Sequence, residues 1–322
     1  GEDVQRKIAL FCNVRREAVI EEKDVEHSIY EVPGVLRDQG LDRLIVERLG
    51  LSCRDSSIGE WEGMVKRLIS AERTVEVAMV GKYIDQDAYK SIYESLTHAG
   101  IAHGVRVKVR RVEAEEVEKR GAEACLKGAA GLVVPGGFGT RGSEGKIQAV
   151  QYARERKVPY FGLCLGMQVA SIEFARNVCG LAGANSSEFD ASTPHPVIAL
   201  MDGQKKVATK GGTMRLGAFP CVLAAGSRAA AAYGAARTDE RHRHRYEFNN
   251  TYRPQFEAKG AVFSGLSPDG GLVEILELKD HPWFLAVQFH PEFQSKPTRP
   301  HPLFASFVGA AMTRSAGAGA AA

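Results

Sequence analysis

From residue 74 onward, the order of apolar and polar positions predicts a sheet with helices on both faces. Apolar runs predict buried strands at 75–81, 105–112 and 131–136, and amphipathic stretches predict helices at 87–100, 113–127 and 144–156. Strands that alternate with helices are typical of a doubly wound, mostly parallel sheet. After residue 196 short strands follow one another (PVIAL, TMRLG, RYEFN, LVEILEL and FLAVQFH), which predicts antiparallel additions, and LFASFVGAAM predicts a closing helix.

The segments on either side of this pattern are different. Residues 1–50 predict a separate piece, with a short strand at KIALFC and one amphipathic helix at VPGVLRDQGLDRLIVERLG. Residues 51–73 predict a polar linker that contains a helix, with Trp61 packed on the main domain. The main domain would then span residues 74–313. Residues 314–322 are of low complexity and are predicted to be disordered.

Composition narrows the class of protein. A chain of 322 residues with 44% hydrophobic content can bury a large core, and 42 basic against 39 acidic residues leave a net charge of only +3. This balance argues against dedicated nucleic-acid binding. The six cysteines form no Cys-x-x-Cys pair, which fits a reducing, cytoplasmic location. We expect no membrane partner, because no apolar run has membrane-spanning length and no signal peptide opens the chain.

Cys164 lies at the centre of a Gly-x-Cys-x-Gly motif, between the apolar run 158–163 and a helical pattern at 167–176. A cysteine there sits on a sharp strand-to-helix turn whose strained backbone requires glycines on both sides. The N-terminus of the following helix favours the thiolate. A lone cysteine in an apolar run is more often an inert core residue, but the flanking glycines favour a nucleophile.

His290 is the candidate base for this nucleophile. It follows the apolar run 283–289, and Pro291 ends the predicted strand, so that His290 emerges at a strand terminus. Glu292 follows two residues later and can fix the imidazole tautomer, which predicts a Cys-His-Glu triad. Seven of the nine histidines lie in surface-like contexts and are predicted to be solvated.

A glycine-rich turn follows the predicted strand at 132–134, in the sequence Pro135-Gly136-Gly137-Phe138-Gly139. The backbone N–H groups of Gly137 and of Leu165, the residue after the nucleophile, predict an oxyanion hole. A phosphate-binding loop is the competing interpretation. It requires Ser or Thr after Gly-Lys, whereas Gly145-Lys146 is followed by Ile147.

The alternation of Arg and His at 241–245 has two other interpretations. A nucleic-acid-binding patch would be longer and would contain aromatic residues. A metal site would use His242 and His244 on one face of a strand, with the arginines on the opposite face. No third His or Cys lies nearby, so we predict no metal site.

Three motifs together resemble the class I (triad) glutamine amidotransferases: Gly-Gly-Phe-Gly (136–139), Gly-Leu-Cys-Leu-Gly-Met-Gln (162–168) and Phe-His-Pro-Glu-Phe (289–293). Four further strings narrow the resemblance to the CTP synthase family: VGKYIDQDAYKS (80–91), NSSEF (185–189), GGTMRLG (211–217) and ERHRHRYEFN (240–249). The resemblance extends to about Met312. It implies an α/β fold with an open twisted sheet, mostly parallel with antiparallel additions, flanked by helices.

The resemblance implies that Cys164, His290 and Glu292 hydrolyse glutamine. It also implies a glutamine-binding set that consists of Gly137, Leu165, Gly166, Met167, Gln168, Glu188 and Arg245. Free glutamine has a carboxylate, which Arg245 can bind bidentately, and an ammonium, from which Glu188 can accept.

The resemblance implies a second reaction outside the glutamine site. Residues 1–50 resemble the tail of an amidoligase domain, which uses ATP and magnesium to aminate UTP to CTP. Lys23, Asp24 and Val25 match a stretch that borders the ATP site, although an ordinary surface role is an equal alternative. GTP is the family's allosteric activator, and the loop 140–142 is a candidate coupling element. We expect no cofactor in this chain itself and a homo-tetramer in the intact enzyme.

Two other classes of function remain open. Another Cys-His-Glu hydrolase, such as a γ-glutamyl peptidase, would share the triad but not NSSEF, GGTMRLG and RHRHRYE together. A non-catalytic filament or scaffold fragment would be expected to have lost Cys164 or His290, and both residues are present.

Overall fold

The computed structural model describes residues 1–53, 58–84, 87–200 and 214–320. It divides into two compact units, Gly1–Glu72 and Arg73–Ala322. Parts of the strings GGTMRLG and VGKYIDQDAYKS, and part of the predicted linker 51–73, lie outside the described residues. Within the described part, no helix combines the length and the apolar character needed to cross a bilayer.

The first unit is helical where the structure describes it. Its helices are α1 (Glu2–Cys12), α2 (Val32–Asp38), α3 (Leu41–Leu49) and α4 (Gly59–Ile69), with 3₁₀ turns at Arg16–Ala18 and Ile29–Glu31. The prediction of a strand at KIALFC is wrong, because these residues lie in α1. A short apolar run does not by itself distinguish a strand from a helix.

The amphipathic stretch after residue 32 forms two helices rather than one. Gly40 has a φ of 81°, a left-handed conformation that interrupts the helical backbone between α2 and α3. The predicted helix of the linker is α4. Its Trp61 packs within the first unit, where the indole N–H donates to the carbonyl oxygen of Tyr30 at 2.7 Å.

The second unit contains the strands β1 (Thr74–Gly81), β2 (Arg106–Glu113), β3 (Gly131–Val134), β4 (Tyr160–Leu163), β5 (Asn185–Ser186), β6 (Pro196–Leu200), β7 (Arg215–Leu223), β8 (Arg237–His244), β9 (Tyr246–Phe248), β10 (Ala261–Leu266), β11 (Val273–Leu278) and β12 (Phe284–Val287). Its helices are α5 (Lys90–His103), α6 (Ala114–Arg120), α7 (Ala122–Leu126), α8 (Ser143–Glu155), α9 (Leu165–Asn177), α10 (Arg228–Tyr233), α11 (Arg253–Ala258) and α12 (Pro302–Ala320). Shorter 3₁₀ turns occur at Asp87–Tyr89, Asn250–Tyr252 and Pro291–Gln294.

The described residues form one nine-stranded sheet in the order β2-β1-β3-β4-β12-β11-β10-β7-β8, and a small sheet of β5, β6 and β9. Neighbouring strands from β2 to β12 are parallel, and those from β12 to β8 are antiparallel. The predicted fold class is therefore confirmed. One detail differs, because β12 pairs parallel to β4 on one side and antiparallel to β11 on the other. The sequence pattern also missed β5 and β10, and it indicated β8 only through the alternation of Arg and His at 241–245.

Both faces of the central strands are buried, which explains their continuous apolar runs. On β3, Leu132 and Val134 point into one core with α8 and α9, whereas Val133 points into a second core with α5 and α12. The helix predicted at LFASFVGAAM is α12, which begins at Pro302 and continues to Ala320. Disorder of the segment 314–322 stays a prediction, and residues 321–322 lie outside the described residues.

Candidate active site

Cys164 occupies the turn between β4 and α9. It has φ 51° and ψ −100°, a strained backbone for a residue with a side chain, and it is 3% exposed. Its backbone N–H donates to the carbonyl oxygen of Val287 at 2.7 Å, which ties the turn to the end of β12. The predicted strand-to-helix elbow is therefore present.

The two glycines of the motif are required by close backbone contacts. A Cβ on Gly166 would lie 2.2 Å from the carbonyl oxygen of Val134, and a Cβ on Gly162 would lie 2.8 Å from the Gly166 backbone. Neither contact can be relieved by rotating a side chain, because the obstructing atoms belong to the backbone. The glycines allow the elbow to pack against the neighbouring strand.

His290 and Glu292 lie at the end of β12, next to this elbow. The Nδ1–H of His290 donates to Oε1 of Glu292 at 2.8 Å, and both side chains are largely buried. The 3₁₀ turn Pro291–Gln294 reverses the chain so that the carboxylate faces the ring of the residue two positions before it. This contact fixes the imidazole tautomer and leaves Nε2 for the sulfur.

The imidazole is held in its charged form. Burial by itself would lower the pKa of His290, but hydrogen bonds to Cys164 and Glu292, together with their charges, raise it to about 10. The arrangement thus favours an imidazolium beside the sulfur and a carboxylate behind it.

The glycine-rich turn 136–139 lies against the same centre. A Cβ on Gly136 would be 3.0 Å from Cε1 of His290 and 3.5 Å from Cβ of Cys164. A Cβ on Gly137 would be 3.3 Å from the Leu165 side chain. Leu165 is the first residue of α9, whose first N–H groups have no partner within the helix. Gly137 and Leu165 are therefore neighbours beside the nucleophile.

Two lysine side chains lie next to this turn. Lys146 in α8 is 1% exposed, and its Nζ would lie 3.8 Å from a Cβ on Gly137. Burial and, to a smaller extent, the charge of the nearby Lys82 together lower the pKa of Lys146 to about 8. Lys82 also donates to the carbonyl oxygen of Phe138. The sequence analysis used Lys146 only to test for a phosphate loop and missed its burial beside Gly137.

The residues assigned to glutamine binding lie on two sides of the elbow. Gln168, one turn into α9, donates from Nε2 to the carbonyl oxygen of Tyr246 at 3.2 Å. Glu188 accepts from the backbone N–H of Gly139 at 3.3 Å. Burial raises the pKa of Tyr246, the charge of Glu188 raises it further, and Arg245 lowers it. Gln168, Glu188 and Arg245 therefore lie around Tyr246.

Gly166 and Met167 contribute differently to this region. The carbonyl oxygen of Gly166 accepts from the Tyr160 hydroxyl at 2.8 Å, and the Met167 side chain is fully buried in the core. Neither residue therefore offers a side chain to a ligand.

His242 and His244 lie on one face of β8, with Arg241 and Arg243 exposed on the other. The two rings are hydrogen-bonded, from Nδ1 of His242 to Nε2 of His244, at 2.8 Å. Burial, followed by the charge of Arg215, lowers the pKa of both rings, that of His244 to about 3. Both are neutral core residues.

The prediction that seven histidines are solvated is wrong. His98, His242, His244, His281 and His301 are all buried. Each forms a hydrogen bond with another residue. For example, Nε2 of His301 lies 2.9 Å from Oε1 of Glu240. The partners of His98, His281 and His301 come from distant segments, so a single sequence does not show them. In the described part of the chain, no group of three or more His, Cys, Asp or Glu residues could hold a metal ion.

Lys23, Asp24 and Val25 belong to the first unit. They lie outside its helices, with Lys23 and Asp24 exposed, and Lys23 pairs with Glu21 at 2.5 Å. These contacts are those of ordinary surface residues. Their assignment to the border of an ATP site stays a prediction.

The sequence analysis also missed Gln288. This residue is fully buried, and its Nε2 lies 3.7 Å from the sulfur of Cys164. One signal was available, because Gln288 precedes His290 by two residues on a strand and therefore shares its face.

Comparison with known proteins identifies the family. The model of the class I glutamine amidotransferases matches residues 85–310, and the model of the CTP synthase N-terminus matches residues 1–51. The chain belongs to the class I glutamine amidotransferase family. Within it, the chain falls in the CTP synthase group, as the following relatives indicate.

Among sequences, the CTP synthase of Moorella thermoacetica is 56% identical over 98% of this chain and 58% of its own length. The CTP synthase of Caldanaerobacter subterraneus subsp. tengcongensis is 58% identical over 96% of this chain and 58% of its own length. The chain thus spans well under two thirds of these relatives. Among solved structures, the glutaminase domain of Trypanosoma brucei CTPS with bound acivicin is 41% identical, with a TM-score of 0.70 over 74% of this chain and 94% of that one.

Proposed function

We propose that this chain hydrolyses glutamine and supplies the ammonia for the ATP-dependent amination of UTP to CTP. The observation that carries the proposal is the contact of Cys164, on a strained elbow, with an imidazolium that Glu292 holds at 2.8 Å. The identity of 56–58% to CTP synthases supports the assignment of the product.

The reaction follows from the roles of three groups. The Cys164 thiolate attacks the side-chain amide carbon of glutamine, and the oxygen of the tetrahedral intermediate accepts from the N–H groups of Gly137 and Leu165. His290 donates its proton to the leaving nitrogen, ammonia departs, and a glutamyl thioester remains. His290 then takes a proton from water, which attacks the thioester and releases glutamate and the thiol.

Substrate recognition uses complementary charges. Arg245 binds the glutamine carboxylate, Glu188 accepts from its ammonium, and Gln168 contacts its polar head. Gly166 and Met167 contribute through their backbone. The nearness of Arg245 and Glu188 to Tyr246, beside Gln168, supports this assignment.

The remaining parts of the proposal concern the whole enzyme, which we place in the cytoplasm as a homo-tetramer. ATP, magnesium and UTP would bind the amidoligase domain. This chain shows only the segment 1–51 that matches its family model, and the surface contacts of Lys23 give no support for a nucleotide site. GTP would act as an activator, and the loop 140–142 beside the cationic turn is the candidate for its coupling to the triad.

A γ-glutamyl peptidase or a non-catalytic scaffold is less well supported. The relatives at more than 50% identity are CTP synthases, and a scaffold would have no need for a buried, charge-coupled triad.

The test is a glutaminase assay on the purified protein and on its Cys164→Ala variant. Alanine fits the elbow, so the variant should stay folded but release no glutamate above background. A glutamine-like electrophile should label Cys164 alone among the six cysteines, as read by mass spectrometry of the peptides. Glutamate release by folded Cys164→Ala protein, or labelling chiefly at the exposed Cys12 or Cys53, would contradict the proposal.

A further inference from the structure

Gln288 reaches the same sulfur atom as His290. β12 runs parallel to β4, with Val287 opposite Leu163. The residues that follow these two, Gln288 and Cys164, therefore lie side by side at the carboxyl ends of the strands. Just beyond the end of β12, the side chains of Gln288 and His290 both contact the sulfur of Cys164, while Phe289 points into the core.

The orientation of the Gln288 amide is fixed by its neighbours. The carbonyl oxygen of Tyr246 can only accept, so the group of Gln168 that contacts it must be the NH₂ group. The same Nε2 contacts Gln288 at 3.4 Å, which requires an acceptor there, namely Oε1. The other end of the Gln288 amide is therefore its NH₂ group, and it faces the sulfur at 3.7 Å.

A buried thiolate needs such a donor. Cys164 is 3% exposed and Gln288 is fully buried, so little water can solvate the negative charge. An ion without hydrogen-bond donors is costly in such surroundings, and a donor to the charged form favours that form. His290 provides one donor. The NH₂ group of Gln288 is the second donor. The hydrogen bond that the Gln288 amide oxygen accepts from Gln168 polarises this NH₂ group and strengthens its hydrogen bond to the sulfur.

We propose that Gln288 is a further catalytic residue of this site, whose side-chain amide donates to the Cys164 sulfur and stabilises and orients the thiolate for attack. The proposal deepens the proposed function and rests on Cys164 as its nucleophile. Through Gln168, the same chain of hydrogen bonds connects the sulfur to the pocket assigned to the glutamine head group.

The experiment measures the rate at which iodoacetamide alkylates Cys164, by mass spectrometry of its peptide, as a function of pH. Gln288→Met keeps the length of the side chain but removes the donor, and Gln288→Glu keeps the acceptor for Gln168 but places a second negative charge near the sulfur. We expect the pH of half-maximal rate to rise by about one unit in Gln288→Met, which is about tenfold slower alkylation on the acid side, and further in Gln288→Glu. Gln151→Met on α8 is the control, because it makes the same chemical change far from the sulfur. Its pH of half-maximal rate should equal that of wild type.

An unchanged pH of half-maximal rate in either folded Gln288 variant would overturn the proposal, since a residue that only packs can be replaced by Met without effect on the thiolate. The wild-type protein provides a measurement that does not depend on the folding of a variant. The side-chain amide proton resonance of Gln288 should shift with the same midpoint as the alkylation rate, and a resonance that does not move would contradict the contact. The proposed function is tested by a separate result: glutamate release by the folded Cys164→Ala variant would contradict it.

Discussion

At the scale of single residues, the backbone of Cys164 matters as much as its sulfur. Its φ of 51° costs of order 1–3 kcal/mol for a residue with a side chain, and the fold bears this cost at a position where the sulfur meets His290 and Gln288. The neighbours Gly162 and Gly166 allow the turn because they have no Cβ. The strained residue is thus the proposed nucleophile.

A prediction at this scale concerns Arg245. Arg245→Ala should raise the KM for glutamine by about 10- to 100-fold and change kcat by less than about 3-fold, since a carboxylate far from the reacting carbon is bound equally in the ground and transition states. Steady-state glutaminase kinetics measure both constants. Arg243→Ala is the matched control, because Arg243 is exposed on the neighbouring strand β8 and should leave KM unchanged. An unchanged KM in Arg245→Ala would remove Arg245 from the proposed pocket.

At the scale of elements, a buried charge cluster connects β7, β9 and β11. Arg215 of β7 pairs with Glu274 of β11 at 2.8 Å and with Glu247 of β9 at 3.3 Å, and all three side chains are buried. One positive charge therefore faces two carboxylates. Burial, opposed by Arg215 and assisted by the charge of Glu274, raises the pKa of Glu247 to about 8.

The cluster predicts how stability depends on pH. Glu247 ionises near its ordinary pKa of 4.5 in the unfolded chain but only near 8 in the folded protein, so its ionisation costs the wild type stability as pH rises from about 4.5 to 8. Glu247→Gln removes this cost and leaves Arg215 paired with Glu274. His244, which also faces Glu247, stays neutral in this range. Burial raises the pKa of Glu274 as well, although its hydrogen bond and ion pair with Arg215 oppose the shift.

We therefore expect the free energy of unfolding of Glu247→Gln, relative to wild type, to increase between pH 5 and 8 by at least about 1 kcal/mol. Urea denaturation at a series of pH values measures the difference. Glu257→Gln is the control, since Glu257 pairs with Arg253 on the exposed side of α11, and its difference should be small and flat. A Glu247→Gln difference that is constant with pH would show that Glu247 is ionised in the folded protein.

At the scale of the whole molecule, the two units of the chain match two different family models. The second unit contains the whole of the class I glutamine amidotransferase match, residues 85–310. The first unit contains the match to the CTP synthase N-terminus, which covers residues 1–51 only, and the chain spans 58% of the length of its relatives. The residues assigned to glutamine binding are all present in this chain, whereas the match to the CTP synthase N-terminus covers residues 1–51.

A polypeptide of these 322 residues should consequently release glutamate from glutamine but form no CTP from UTP, ATP and magnesium with either glutamine or free ammonia. Free ammonia is the decisive substrate, because it bypasses the triad and tests amination alone. Chromatographic detection of CTP measures the outcome, and the full-length CTP synthase of Moorella thermoacetica is the positive control. CTP formed from free ammonia would mean that the segment 1–51 contributes far more of the amidoligase site than its surface contacts indicate.

The sequence by itself determined the features that depend on neighbouring residues. The Gly-x-Cys-x-Gly motif predicted the elbow, His-x-Glu predicted the histidine–carboxylate contact, and the alternation of strands and helices predicted the parallel half of the sheet. These are local signals, since a turn, a contact across two residues and a strand–helix unit are each encoded within a short segment.

Only the tertiary structure decided what depends on segments far apart in the chain. The parallel pairing of β12 with β4 brings His290 and Gln288 to Cys164, and no local pattern specifies which strands pair. The burial of His242, Lys146 and Glu247 likewise depends on distant partners, so that residues of surface type became part of the core. Short apolar runs such as KIALFC are compatible with a strand or a helix, and their surroundings in the fold select one.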